Sequence, residues 1–160
     1  MSARVAIVMG SASDKPTMQK AADELERLGV GTEMRVLSAH RTPDALREWV
    51  VDLEGRGVRV VIAAAGYAAH LAGVVAAHTT MPVIGVPLPG SSLNGLDSLL
   101  STVQMPRGIP VATVTIGEAG AVNAAILATE ILGTSDDALR SKLRAERKAQ
   151  AQKILDAEAR

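Results

Sequence analysis

Val5-Ala6-Ile7-Val8-Met9, followed at once by Gly10-Ser11-Ala12-Ser13-Asp14, is an unbroken apolar run that stops at a glycine and a cluster of small polar side chains. Five apolar residues with no polar alternation suit a strand covered on both faces, because a half-solvated strand would alternate. The same form recurs at Val60 to Ala65 before Gly66 and at Val83 to Val86 before Pro87. Between the runs lie stripes at helical spacing: Met18, Ala21, Ala22, Leu25 and Leu28 in one, Leu46, Trp49, Val50 and Leu53 in the next.

Helix starts are marked by Ser13 or Asp14 before Pro16 and by Thr42 before Pro43, an N-cap with proline in the first turn. Gly29 and Gly57 mark helix ends. Gly31 to Leu37 is a less apolar strand suited to a sheet edge, and Val111 to Val114, after Pro110, is a fifth strand. Strands alternating with helices predict a parallel sheet with right-handed crossovers and helices on both faces. The expected fold is therefore α/β, a three-layer αβα sandwich of the flavodoxin type with five parallel strands in order 2-1-3-4-5. The longest irregular stretch, residues 88 to 97, is a lid candidate, with a short helix from Asp97 to Gln104 after it.

The apolar content is 48% of 160 residues and consists mostly of Ala, Val, Leu and Ile, with no Phe, one Trp and one Tyr, so elements should pack closely. The length suits one domain, with residues 1–133 as the catalytic unit. Ala119 to Leu132 is a helix apolar almost all round, which implies burial on most sides, against the core and against a neighbouring subunit. Residues 136 to 160 carry seven basic and five acidic side chains around Leu139, Leu143, Ile154 and Leu155. A helix so sparsely apolar is marginal alone. Residues 134–160 are expected to form a C-terminal helical arm lying on a neighbouring subunit, the other reading being a frayed tail.

Seventeen basic and seventeen acidic residues give a formal net charge of zero, which argues against nucleic acid or an anionic membrane as partner. The chain has no cysteine, which excludes disulfides, thiolate nucleophiles and zinc-thiolate centres and leaves cytoplasm as the expected compartment. The first apolar run is too short for a signal-peptide core or a bilayer span.

Ligands of open α/β sheets bind beyond the carboxyl ends of the strands. Three segments fall there: Gly10 to Asp14, Ser38 to Pro43, and Ala65 to Gly73. The first offers hydroxyls and backbone N–H groups opening a helix, a phosphate site or simply a cap. The second joins Ser38 and His40, a residue type that titrates near neutrality, to Arg41, a permanent cation able to grip phosphate. In the third, Gly66 and the alanines around His70 allow close approach to a flat substrate, though His70 is equally at home starting a helix. His78 lies roughly 12 Å further along a straight helix, so it shares no metal with His70 and is read as a packing or surface residue. No phosphate loop, dinucleotide turn, nucleophile elbow or zinc spacing is present, leaving a phosphate-and-proton site with no evident metal or cofactor.

These segments carry a resemblance. The motifs MGSASD, LSAHRTP, AAHLAG, PVIGVP, LDSLLSTVQMPRGIPVAT and GAVNAA, spread from Val5 to Leu132, are similar to those of the bacterial N5-carboxyaminoimidazole ribonucleotide mutases, class I of the aminoimidazole ribonucleotide carboxylase catalytic subunits. The resemblance implies a cofactor-free, metal-free isomerase of de novo purine (IMP) biosynthesis. It would move a carboxyl group from the exocyclic nitrogen to C4 by decarboxylation, retention of CO2 and recarboxylation. It implies a homo-octamer with sites at subunit junctions. Carried over by position, His40 is the acid/base; Ser11 and Asp14 contact substrate, Asp14 on the ribose hydroxyls; Arg41 binds phosphate; Ser13 and Ser38 assist. Gly66, Ala68, Ala69, His70 and Leu71 form the loop beside the imidazole and CO2. Tyr67 departs from the family, where a small residue is expected, as does Ala72, where proline is expected.

Two rivals stand beside this reading. One is the related carboxylase that takes free CO2 and aminoimidazole ribonucleotide, whose motifs differ around the third segment. The other is a non-catalytic nucleotide-binding or receiver module on the same scaffold. A phosphoryl receiver wants an acid ending the third strand, where this chain has Ala65 and Gly66.

Overall fold

The computed structural model describes residues 2–158. Five strands, β1 (Val5–Met9), β2 (Thr32–Val36), β3 (Val60–Ala65), β4 (Val83–Pro87) and β5 (Ala112–Thr113), form one sheet in order β2-β1-β3-β4-β5. Every pairing is parallel, with Val5 opposite both Thr32 and Val60, Val61 opposite Val83, and Ile84 opposite Ala112. The flavodoxin-like order expected from the alternation is the order observed. The helices are α1 (Lys15–Leu28), α2 (Pro43–Leu53), α3 (Leu71–Ala77), α4 (Leu96–Val103), α5 (Glu118–Gly133) and α6 (Asp137–Glu158). A single 3-10 turn, Ala12–Asp14, leads from β1 into α1.

The unbroken apolar run of β1 is explained by two cores. Val5, Ile7 and Met9 face α1 and α5, while Ala6 and Val8 face α2 and α3, and all five are fully buried. Each larger side chain among them contributes roughly 1.5–3 kcal/mol of burial. The low aromatic content is explained on the α1 side, where Gly120, Ala121, Ala124, Ala125 and Ala128 of α5 are buried and α1 lies directly against that helix. A Cβ on Gly120 would collide with the Thr115 carbonyl, which fixes how α5 enters the layer.

At the edge, β2 is half-exposed to exposed, as its mixed composition suggests. It is tied to α2 by Glu33, which accepts from the Trp49 indole at 3.0 Å and from both terminal nitrogens of Arg56 at 2.5 and 2.8 Å. Arg56 holds the Glu33 carboxyl below its ordinary range, against some desolvation. The stability this pair contributes is present above that range and is lost as pH falls through the depressed value.

The structure adjusts several expectations. β5 is confined to Ala112–Thr113 rather than Val111 to Val114, although the Val114 N–H still donates to the Gly85 carbonyl of β4 at 3.1 Å. Asp14 and Thr42 occupy the N-cap positions of α1 and α2, but neither side chain caps its helix. Ser11 caps instead, one turn earlier, in a reciprocal capping box with Asp14. The first half of α6 packs on its own domain: Leu139 is buried, Lys142 Nζ donates to the Arg27 carbonyl at 2.7 Å, and Arg27 pairs with Glu146 at 2.7 Å. Residues 149–158 are exposed. No helix is long and apolar enough to cross a membrane among the described residues.

Gly85 marks where α4 and the β5 edge close on β4. An added Cβ would lie 2.9 Å from Val111 Cγ1 and closer still to Thr102 Cγ2. Gly85→Ala is expected to lower the unfolding free energy by about 1–3 kcal/mol in urea titration, the usual cost of overpacking.

Candidate active site

β1, β2 and β3 end side by side, so the turns that follow them meet at one edge of the sheet. A cleft of about 630 Å3 opens there, walled by the turn after each of these strands and by Leu88 to Gly90 after β4. Ser11, Ser13, Asp14, Ser38, His40, Arg41, Gly66, Ala68, His70 and Leu71 line it. Ala69, placed by resemblance in the same loop, does not line the cleft. Its side chain is buried, and its N–H donates to Ser101 Oγ at 3.0 Å.

In the first turn, Ser11 N–H donates to Asp14 Oδ2 at 3.1 Å and the Ser13 hydroxyl donates to Ser11 Oγ at 2.9 Å. Capping and cleft lining are thus done by the same residues. Burial raises the Asp14 carboxyl above its ordinary value, against the lowering effects of the Ser11 N–H and the Arg41 charge.

The second turn is organised by Ser38, whose Oγ accepts from the N–H groups of His40 at 3.3 Å and Arg41 at 3.1 Å. Ser38 N–H in turn donates to Thr42 Oγ1 at 2.9 Å. Arg41 Nη2 donates to the Gly10 carbonyl at 2.7 Å, so the guanidinium bridges the turns after β1 and β2. Across the cleft, His40 Nε2 lies 2.8 Å from His70 Nδ1, with the rings edge to face at 84°. One proton between those two nitrogens satisfies both, so one imidazole fixes the orientation of the other.

His70 is the N-cap residue of α3, but its side chain makes no capping bond and faces the cleft instead. Gly66 passes so near β4 that a Cβ would sit 3.3 Å from the Leu88 carbonyl. Ala72 occupies the first turn of α3, a position where a proline would break no intrahelical hydrogen bond. His78 is exposed at the far end of α3.

The sequence matches the AIR carboxylase family over residues 4–153. The chain belongs to the AIR carboxylase family. It is 55% identical to the N5-carboxyaminoimidazole ribonucleotide mutase of Escherichia coli K12 over 154 residues, covering 96% of this chain and 91% of that protein. The enzyme of the same name from Bacillus subtilis 168 is 54% identical, with 95% and 94% covered. Among solved structures, Treponema denticola PurE superposes with a TM-score of 0.89 at 31% identity, covering 97% of this chain and 96% of that one.

One part of this cleft escaped the sequence reading. Ser101 anchors the third turn from α4, and nothing in its surroundings in sequence marks it. Leu88 to Gly90, which wall the cleft, open the irregular stretch of residues 88 to 97 that the sequence offered as a lid candidate.

Asp14 supplies a pH test. With its folded value raised, the native state binds more protons than the unfolded chain above the ordinary value of 3.8, so its contribution to stability falls as pH rises through that window. Asp14→Asn is expected to flatten this fall in thermal melts taken across mildly acidic pH, with no loss of stability at neutrality.

Proposed function

We propose that this chain converts N5-carboxyaminoimidazole ribonucleotide to 4-carboxyaminoimidazole ribonucleotide in de novo purine biosynthesis. Mutases of that name more than 50% identical over nearly the whole chain support the activity. The observation that carries the mechanism is the pairing of adjacent residues His40 and Arg41, one turned to His70 and the other to the first turn, in a single cleft.

Arg41 and the positive N-terminal end of the helical turn after β1 hold the phosphate, with Ser13 and Ser38 assisting and Asp14 on the ribose hydroxyls. Binding energy at the phosphate end then orients the heterocycle against His40. The N–CO2 bond breaks, its electron pair stays on the exocyclic nitrogen, and protonated His40 supplies the proton there. C4 of the aminoimidazole then attacks the retained CO2, and the proton on C4 returns to His40 as aromaticity is restored. One imidazole closes the cycle with no net proton change, and no cofactor or metal is needed. Gly66, Ala68, His70 and Leu71 lie beside the ring and CO2, with Ala69 holding that loop from beneath.

The protein is proposed to act in the cytoplasm as a homo-octamer. Leu96, Leu100 and Val103 of α4, with Leu93 in the loop before it, are 46–58% exposed, while Ser98 and Thr102 of α4 are buried. An apolar row outside and hydroxyls inside suit a helix covered by another copy. The exposed outer half of α6, with Ile154 and Leu155, suits an arm on a neighbour. Light scattering is expected to give eight times the 16.6 kDa chain mass, and a lone monomer would remove this part of the proposal.

His40→Asn is expected to slow C-carboxylated product formation from N5-carboxyaminoimidazole ribonucleotide by about a hundredfold or more, the usual share of a general acid/base. Equal rates in both would sink His40 as the acid/base, whereas binding of the nucleotide with no turnover in either would leave only a binding module. Product from aminoimidazole ribonucleotide and bicarbonate, with none from the N-carboxylated substrate, would identify the carboxylase instead.

A further inference from the structure

Tyr67 follows Gly66 at the end of β3 and does three unusual things at once. Its backbone lies in the left-handed region, at φ 56°, where a side chain costs free energy that glycine does not. It is 63% exposed, so burial does not offset that cost. Its hydroxyl donates to the Gly90 carbonyl at 2.7 Å, reaching from the third turn to the loop after β4. Tyr67 and Gly90 both line the cleft that holds His40.

That hydrogen bond has no substitute. At its start the loop is fastened by Leu88, whose N–H donates to the Ala65 carbonyl at 2.9 Å and whose carbonyl accepts from Ser98 Oγ at 2.8 Å. Within it, Ser91 accepts from the N–H groups of Leu93 and Asn94, which ties the loop only to itself. Among the described residues, the Tyr67 hydroxyl is the sole hydrogen-bond link from residues 89–92 to the protein outside the loop of residues 88–95. Gly90 stands at φ 150°, and a Cβ there would lie 3.6 Å from Tyr67 Cε2, so the ring also lies close over the peptide it binds.

We propose that Tyr67 is a positioning residue that latches the loop of residues 88–95 to the third turn and so keeps CO2 in the cleft between its release and its recapture. This rests on the mutase reading. The latch forms no bond to substrate; it acts through Gly90 by holding one wall of the cleft in place. Loss of the hydroxyl leaves residues 89–92 without their external anchor, and CO2 then exchanges with solution before C4 attacks it.

The test supplies the full chain with unlabelled N5-carboxyaminoimidazole ribonucleotide in 13C-bicarbonate equilibrated by carbonic anhydrase, and measures the 13C fraction of product at low conversion. Tyr67→Phe keeps the ring and removes the hydroxyl; Tyr67→Gly removes the ring as well and suits the left-handed backbone. Both are expected to raise the labelled fraction roughly fivefold over wild type, the ratio expected for one lost neutral hydrogen bond. A fold defect would lower turnover without changing how product carbon is partitioned. Equal labelling in wild type and Tyr67→Phe overturns the latch, whatever Tyr67→Gly does. Absence of product from the wild type overturns the mutase reading, and the latch's role with it.

Discussion

The structure depends on a sheet that is parallel and covered on both faces. Parallel pairing sets Val5 beside Val60 and Val61 beside Val83, so the carboxyl ends of β1, β3 and β4 come out together. Full burial of alternate side chains in two cores prevents any strand from slipping by one residue, because a slip would exchange the cores' occupants. The position of the cleft is therefore a consequence of packing far from it. Three turns separated by about thirty residues each are brought to one edge by apolar contacts that take no part in chemistry.

At that edge the polar groups hold one another. Arg41 reaches back to Gly10, Ser38 gathers the N–H groups of His40 and Arg41, Ser101 supports Ala69, and His40 meets His70. Each bond crosses from one segment to another or fixes a turn, so the site is arranged before a ligand arrives. Preorganisation of that kind suits the proposed reaction, in which released CO2 must be recaptured, because recapture depends on geometry rather than on binding strength. The raised Asp14 carboxyl shows the cost of placing an acid in this partly dry cleft.

How far the sequence disclosed this varied with the physics involved. The strand order and both helical layers were legible because unbroken apolar runs and 3.6-residue stripes are unambiguous at this length. The cleft residues after β1, β2 and β3 were legible because strand ends are where α/β sheets bind ligands, and serine, histidine and arginine stand out there. Capping was misassigned: Asp14 and Thr42 sit at the correct positions, yet Ser11 and Ser38 organise the hydrogen bonds, since a 3-10 turn intervenes before α1 and Thr42 bonds backward to Ser38. Ala69 entered through the resemblance rather than a local pattern; its methyl is buried and its N–H is held by Ser101. The Tyr67 bond to Gly90 spans 23 positions and depends on a left-handed backbone, which no local pattern encodes.

The central claim is that the three turns jointly seat one ribonucleotide with its heterocycle against His40. A crystal structure of the protein with 4-carboxyaminoimidazole ribonucleotide tests it most directly. The phosphate should lie between Arg41 and the backbone of residues 11–14, with the imidazole carbon that bears the carboxylate beside His40 Nε2. A nucleotide bound elsewhere, or bound here with its ring turned away from His40, would contradict the account.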